Sequence, residues 1–129
     1  MSEAVRAEEL VEPLSHYSDA IRSQGFLYVS GCVSLDQQGN VVGSGDVDAQ
    51  VRQVFDNLGA VLRAGGAGFE DVLKLTIYLT NIDDRPALTE PRKRLFGEHR
   101  PASTLVEVSA LALPELLVEI EAIAEVADD

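Results

Sequence analysis

An α+β sandwich of order β-β-α-β-α-β-β, with two helices over one face of a mixed sheet, is what the sequence predicts, and three stretches carry the prediction. Val51, Val54, Phe55, Leu58, Val61 and Leu62 recur at the spacing that puts all six on one helical face. Leu73, Leu75, Ile77 and Leu79 alternate with Lys74, Thr76 and Tyr78, as a strand with one buried face requires. Near the end, Val118, Ile120, Ala122 and Ala124 alternate with Glu119, Glu121, Ile123 and Glu125. At 129 residues, 46% hydrophobic and 25% charged, the chain suits a single globular domain.

Residues 1 to about 15 carry several acids and Pro13 with no sustained period, and read as an arm leading into the fold. Asp19 to Ser23 and Phe26 to Ser30 flank Gln24-Gly25, the signature of a β-hairpin. Gly31 then interrupts the second strand, marking either a bulge or a place where another backbone or a ligand comes close. Asp36 to Gly45 is a polar loop, Asp46 or Asp48 caps the helix that follows, and Gly65-Gly66 stops it.

After the strand at 72–79, Asp83 to Pro86 opens a second helical region. Pro91 lies inside it and costs a backbone hydrogen bond unless it falls in a first turn, which predicts a break near Thr89. Ser103 to Val108 and Leu117 to Val126 complete the strands. If these two pair antiparallel about a loop near Leu113, Glu121 lies opposite Leu105, Glu119 opposite Glu107, and Ser103 diagonally across from Glu121. That acidic face also carries Leu105 and Ile123, which need burial, so an oligomer with polar clefts at its interfaces is expected.

A formal charge of −12 repels phosphate backbones, so nucleic acid is not an expected partner. The short run Arg92-Lys93-Arg94 reads as a solvated helix face. Cys32 stands alone, which excludes an internal disulfide and fits a reducing compartment; as part of an apolar strand it reads as core. No apolar run reaches membrane-spanning length and the acidic N-terminus is unlike a signal peptide, so a cytoplasmic location is expected. His16 and His99 are too few and too far apart for a metal site, and Ser18, Ser30 and Ser103 lack a nucleophile-elbow context. No metal or cofactor is expected.

The segments "HYSDAI", "LYVSG", "VRQVFDNLGAVLRAGGAGFEDVLKLTIYLTNIDD" and "LVEIEAIA", in that order from about Pro13 to Val126, resemble the Rid/YjgF family of reactive-intermediate deaminases, also labelled L-PSP endoribonucleases. The resemblance implies a chorismate-mutase-like fold, a homotrimer, and ligand clefts between subunits. It also implies hydrolysis of 2-imino and 2-enamino acids to 2-keto acids and ammonia, with Tyr17, Ser30 and Gly31 in the cleft and Glu121 as the acid. The family's carboxylate-binding arginine falls at Ser103, its second-helix asparagine at Thr89 and its cysteine at Leu105. A serine offers one neutral donor where arginine offers a charged fork. A charged hydrogen bond is worth roughly 1.5 to 3 kcal/mol, so the usual substrate loses its main anchor unless Arg22, Arg85, Arg92, Arg100 or His16 replaces it.

Imine hydrolysis needs a positioned water, a proton source and a hold on the substrate. A carboxyl in a partly desolvated cleft titrates higher, which suits the second task, and this is the role expected of Glu121. Tyr17 either orients a ligand or packs with its hydroxyl satisfied. Three function classes follow: a hydrolase of an imine or related reactive metabolite with an altered substrate, a noncatalytic ligand-binding trimer, and an endoribonuclease, which the charge disfavours.

Overall fold

A computed structural model describes residues 1–127. Six strands form one mixed sheet in the order β1-β2-β3-β6-β4-β5: β1 Glu3–Val5, β2 Ala20–Ser23, β3 Phe26–Cys32, β4 Val72–Leu79, β5 Ala102–Glu107 and β6 Val118–Glu125. Helix α1, Val47–Ala64, lies across β3 and β6, and α2, Thr89–Phe96, packs beside it. Phe55, Phe69 and Phe96 join the two helices edge to face, with ring centroids 5.4 Å apart for Phe69 and Phe96. No helix is long and apolar enough to cross a membrane among the described residues.

Most elements form for the reasons expected. Gln24 and Gly25 both take positive φ, 52° and 82°, as a two-residue hairpin turn demands. Asp46 caps α1 by accepting from Ala49 N at 3.1 Å. The helix ends when Gly66 turns to φ 89° and Ala67 N donates back to Leu62 O at 2.8 Å. The second helical region does break: a 3-10 helix, Ile82–Leu88, gives way to α2, and Pro91 falls in its first turn, where its missing N–H has no partner to lose.

The structure corrects several expectations. Residues 3–5 of the arm pair with β2 and add a sixth strand. Leu73 points away from the core and is 41% exposed, because a register shift between Val72 and Lys74 inserts one extra residue and puts Val72 inside instead. The last two strands are not a hairpin. The stretch from β4 through α2 to β5 is a crossover that lays β5 parallel against β4, so β4 sits between β5 and β6.

That insertion changes which side chains share a face. Ser103 aligns with Leu75 and Leu105 with Ile77, on the helix-covered side, and Leu105 packs against the core. Thr104, through Thr76, is the β5 residue in line with Glu121. Glu107 and Glu119 are not opposed; Glu107 instead accepts from Ile82 N at 2.9 Å.

Candidate functional site

Gly31 lies in a bulge. Val29 pairs with Ala122 and Cys32 with Ile120, so one more residue is spent on β3 than on β6, and Ser30 and Gly31 drop out of the ladder. The bulge makes room for a carboxylate: a Cβ placed on Gly31 would fall 2.1 Å from Glu119 Oε2. The bulge expected at this glycine therefore holds, while the group that comes close is neither a backbone nor a ligand but a side chain of the same subunit.

Two buried amides on α1 fix the strands that meet here. Asn57 donates to the carbonyls of Val33 at 2.9 Å and Leu35 at 3.0 Å, holding the chain just beyond Gly31. Gln50 donates to Glu115 O at 2.9 Å and accepts from Leu117 N at 2.8 Å, setting the chain that enters β6 two residues before Glu119. Buried polar groups satisfied on both sides rigidify what they bridge.

Across the bulge, Ser30 donates its hydroxyl to Ser18 O at 2.6 Å and its N–H to Asp19 O at 3.0 Å. Asp19 is buried and accepts from Arg6 Nη1 at 2.7 Å and Ala7 N at 2.9 Å, while Arg6 Nη2 donates to Leu10 O at 2.7 Å. The arm is thus strapped over the site. Leu10, Glu12, Tyr17, Asp19, Ser30 and Gly31 border a cavity of about 50 Å³ whose inner wall includes Cys32 and Asn57. Tyr17 is 49% exposed, and its hydroxyl oxygen accepts from Leu14 N at 3.4 Å.

The electrostatics centre on Glu119. Its half-buried carboxyl is pushed up from the ordinary range, first by burial and then by the nearby Glu121. Glu121 accepts from the Tyr78 hydroxyl at 2.8 Å, a bond that, with desolvation, raises the phenol as well. The Cys32 thiol is pushed up to about 12 by burial, then by Asp19 and Glu119, so it stays protonated as a core group.

Of the residues singled out in the sequence, Tyr17, Ser30 and Gly31 come together at this cavity. Glu121 lies one sheet row further along, bonded to Tyr78. Ser103, Leu105 and Thr89 do not join them: β5 and β3 are separated by β6 and β4, about 14 Å at the usual strand spacing. Thr89 is exposed at the start of α2. Sequence reasoning missed Glu119 at Gly31, the Arg6–Asp19 clasp and the two amides. The amides had a signal, since Gln50 and Asn57 are seven residues apart on the face bearing the buried apolar residues.

The sequence matches the Endoribonuclease L-PSP family over residues 7–126. A RutC family protein of Pyrococcus horikoshii is 39% identical over 124 residues, covering 96% of this chain and 98% of that protein. A protein of Acinetobacter baylyi named 3-aminoacrylate deaminase RutC is 35% identical, covering 96% of this chain and 98% of its own length. The crystal structure of the Rid family protein YyfA from Yersinia pestis superposes with a TM-score of 0.91 at 35% identity, over 98% of this chain and 100% of that one.

Proposed function

We propose, from the premise that this chain belongs to the Endoribonuclease L-PSP family, the Rid/YjgF/RutC proteins, that it is a hydrolase of imines or enamines derived from small metabolites. The observation that carries this reading is the Glu119 carboxyl, raised by burial and held against Gly31, itself part of the wall of the cavity edged by Tyr17 and Ser30. A carboxyl that keeps its proton closer to neutral pH is a better donor to an imine nitrogen.

The reaction then runs on this chain's own groups. Protonated Glu119 gives its proton to the imine nitrogen, which makes the carbon electrophilic. Water adds there, its oxygen forming the C–O bond while the C=N π pair moves to nitrogen. The glutamate takes a proton from the added water and passes it to the amine nitrogen; the C–N bond then breaks with its electrons leaving on nitrogen, the hydroxyl oxygen's lone pair forms the carbonyl as its proton returns to Glu119, and ammonia and a carbonyl compound depart. Glu121 and Tyr78 act through Glu119: the neighbouring carboxylate raises it.

A cavity of about 50 Å³ is small against the 300 Å³ or more typical of ligand sites, so one subunit supplies half of a cleft. The other half is the β5 edge of a second copy, bringing Ser103 and Leu105, with Thr89 of α2. Tyr28, Leu73 and Val106 are 45%, 41% and 38% exposed on the open face, and Ile123 lies beside Tyr28, an apolar surface that a homotrimer would cover. The altered residue at position 103 argues for a substrate different from the usual 2-imino acids. It also favours a second reading, a noncatalytic ligand-binding trimer.

Ammonia and carbonyl release from a panel of imines generated in situ tests the proposal. Release faster than in buffer for at least one imine, and lost in Glu119→Gln, is the expected result. Ligand-dependent thermal stabilisation with no product would favour the binding reading instead.

A further inference from the structure

We propose that the cleft selects imines and enamines that carry no ionised carboxylate, taking neutral or cationic substrates instead. This rests on the hydrolase reading above and names its substrate class. The relative named 3-aminoacrylate deaminase acts, by that name, on a carboxylate. Nothing at this chain's cavity is built to receive one.

Among the described residues, no lysine, arginine or histidine borders the cavity, whereas Glu12 and Asp19 do, and Glu119 lies against its Gly31 wall. Asp19 is offset by Arg6, but that guanidinium already serves Asp19 and the carbonyls of Ala7 and Leu10, all within the strap. The raised Cys32 thiol shows the same field from within: after burial, Asp19 and Glu119 are the charges that push it up. A second anion entering this space meets Glu12 and, once its proton is given up, Glu119, with no cation on the wall to offset them.

The matching β5 positions are uncharged, and the cation beside them, Lys74 of β4, is engaged there: its Nζ donates to Thr104 Oγ1 at 3.0 Å. Ala102, Ser103 and Thr104 open the strand and Thr89 opens α2, all uncharged. The other basic groups lie elsewhere. Arg22 donates to Ala127 O at the far end of β2, Arg85 is exposed on the 3-10 helix, and His16 is exposed outside the cavity. Arg92, Lys93 and Arg100 edge a separate groove with Phe96 and His99 at the end of α2. Lys74, against Thr104, and Arg100, three residues before Ser103, are therefore the rivals for the missing anchor.

The test compares 2-iminopropanoate with 2-iminopropanamide, generated in situ and differing only in the charged group, using the assembled full chain. The expected result is a kcat/KM for the amide about tenfold or more above that for the carboxylate. Ser103→Arg should move that ratio about tenfold toward the carboxylate, and Arg100→Ala and Lys74→Ala should each leave it unchanged. A wild-type preference for the carboxylate, or a loss of carboxylate turnover confined to Arg100→Ala or to Lys74→Ala, would overturn the inference while leaving the hydrolase reading intact. If neither these two nor any imine of the panel is hydrolysed, the hydrolase reading fails, and titration with pyruvamide and pyruvate followed by NMR decides the charge preference separately: tighter pyruvate binding overturns it, tighter pyruvamide binding supports it.

Discussion

The two ends of the proposed cleft are built in opposite ways. At the β3–β6 side a bulge, a glycine, a half-buried carboxyl and two buried amides hold one another in place. At the β5 side a short strand pairs on one edge only, with five of its six residues exposed. The first region is complete in a single chain; the second has a free edge of the kind proteins cover or pair. On the proposed function the difference would separate chemistry from selection: the proton-transfer group would be set by the subunit's own core, and the residues that choose a substrate would come from a second copy.

Breaking the built half should cost most. Gly31→Ala drives a methyl into the place of the Glu119 carboxylate, which swings away because it ends a flexible side chain. Turnover should fall about 100-fold while the thermal midpoint barely moves, a split that steady-state kinetics beside a melt would register. Asn57→Ala strips the carbonyls of Val33 and Leu35 of their donor in a buried setting. We expect about 2–4 kcal/mol of lost stability in chemical denaturation.

Perturbing the unfinished half should act on assembly. Val106→Asp puts a charge on the open face of β5 and should yield a folded monomer by sedimentation, with activity falling in step. The smallest effect concerns pH. Burial raises the Glu119 carboxyl above its usual 4.5, so the fold binds that proton more tightly than the unfolded chain does. Its contribution is full below the unfolded value and is lost as pH rises through the folded one. Glu119→Gln should therefore melt slightly above wild type at alkaline pH, with the gain closing below about pH 4.5.

What could be read from the sequence follows the same division. Periodicity located both helices and all strands but the first, and the glycine in β3 was legible as a bulge or close approach, because these are local signals. Strand adjacency was not. Treating 103–108 and 117–126 as a hairpin ignored that the stretch from β4 through α2 forms a crossover, and the error placed Ser103 and Leu105 on the wrong face. Alternation in β6 could not distinguish Glu119 from Glu121, since both share a face; only the register against the β3 bulge puts Glu119 at Gly31. The arm's role was equally hidden, because Arg6 and Asp19 meet across thirteen residues with no local pattern to announce it.

The most direct measurement sets Glu119→Gln beside Glu121→Gln in an assay of ammonia release from an imine the wild type hydrolyses. We predict that the first loses about 100-fold or more in kcat and that the second, acting only through its neighbour, loses about tenfold or less. Equal losses, or a larger loss at Glu121, would contradict the placement of the proton donor at the β3 bulge.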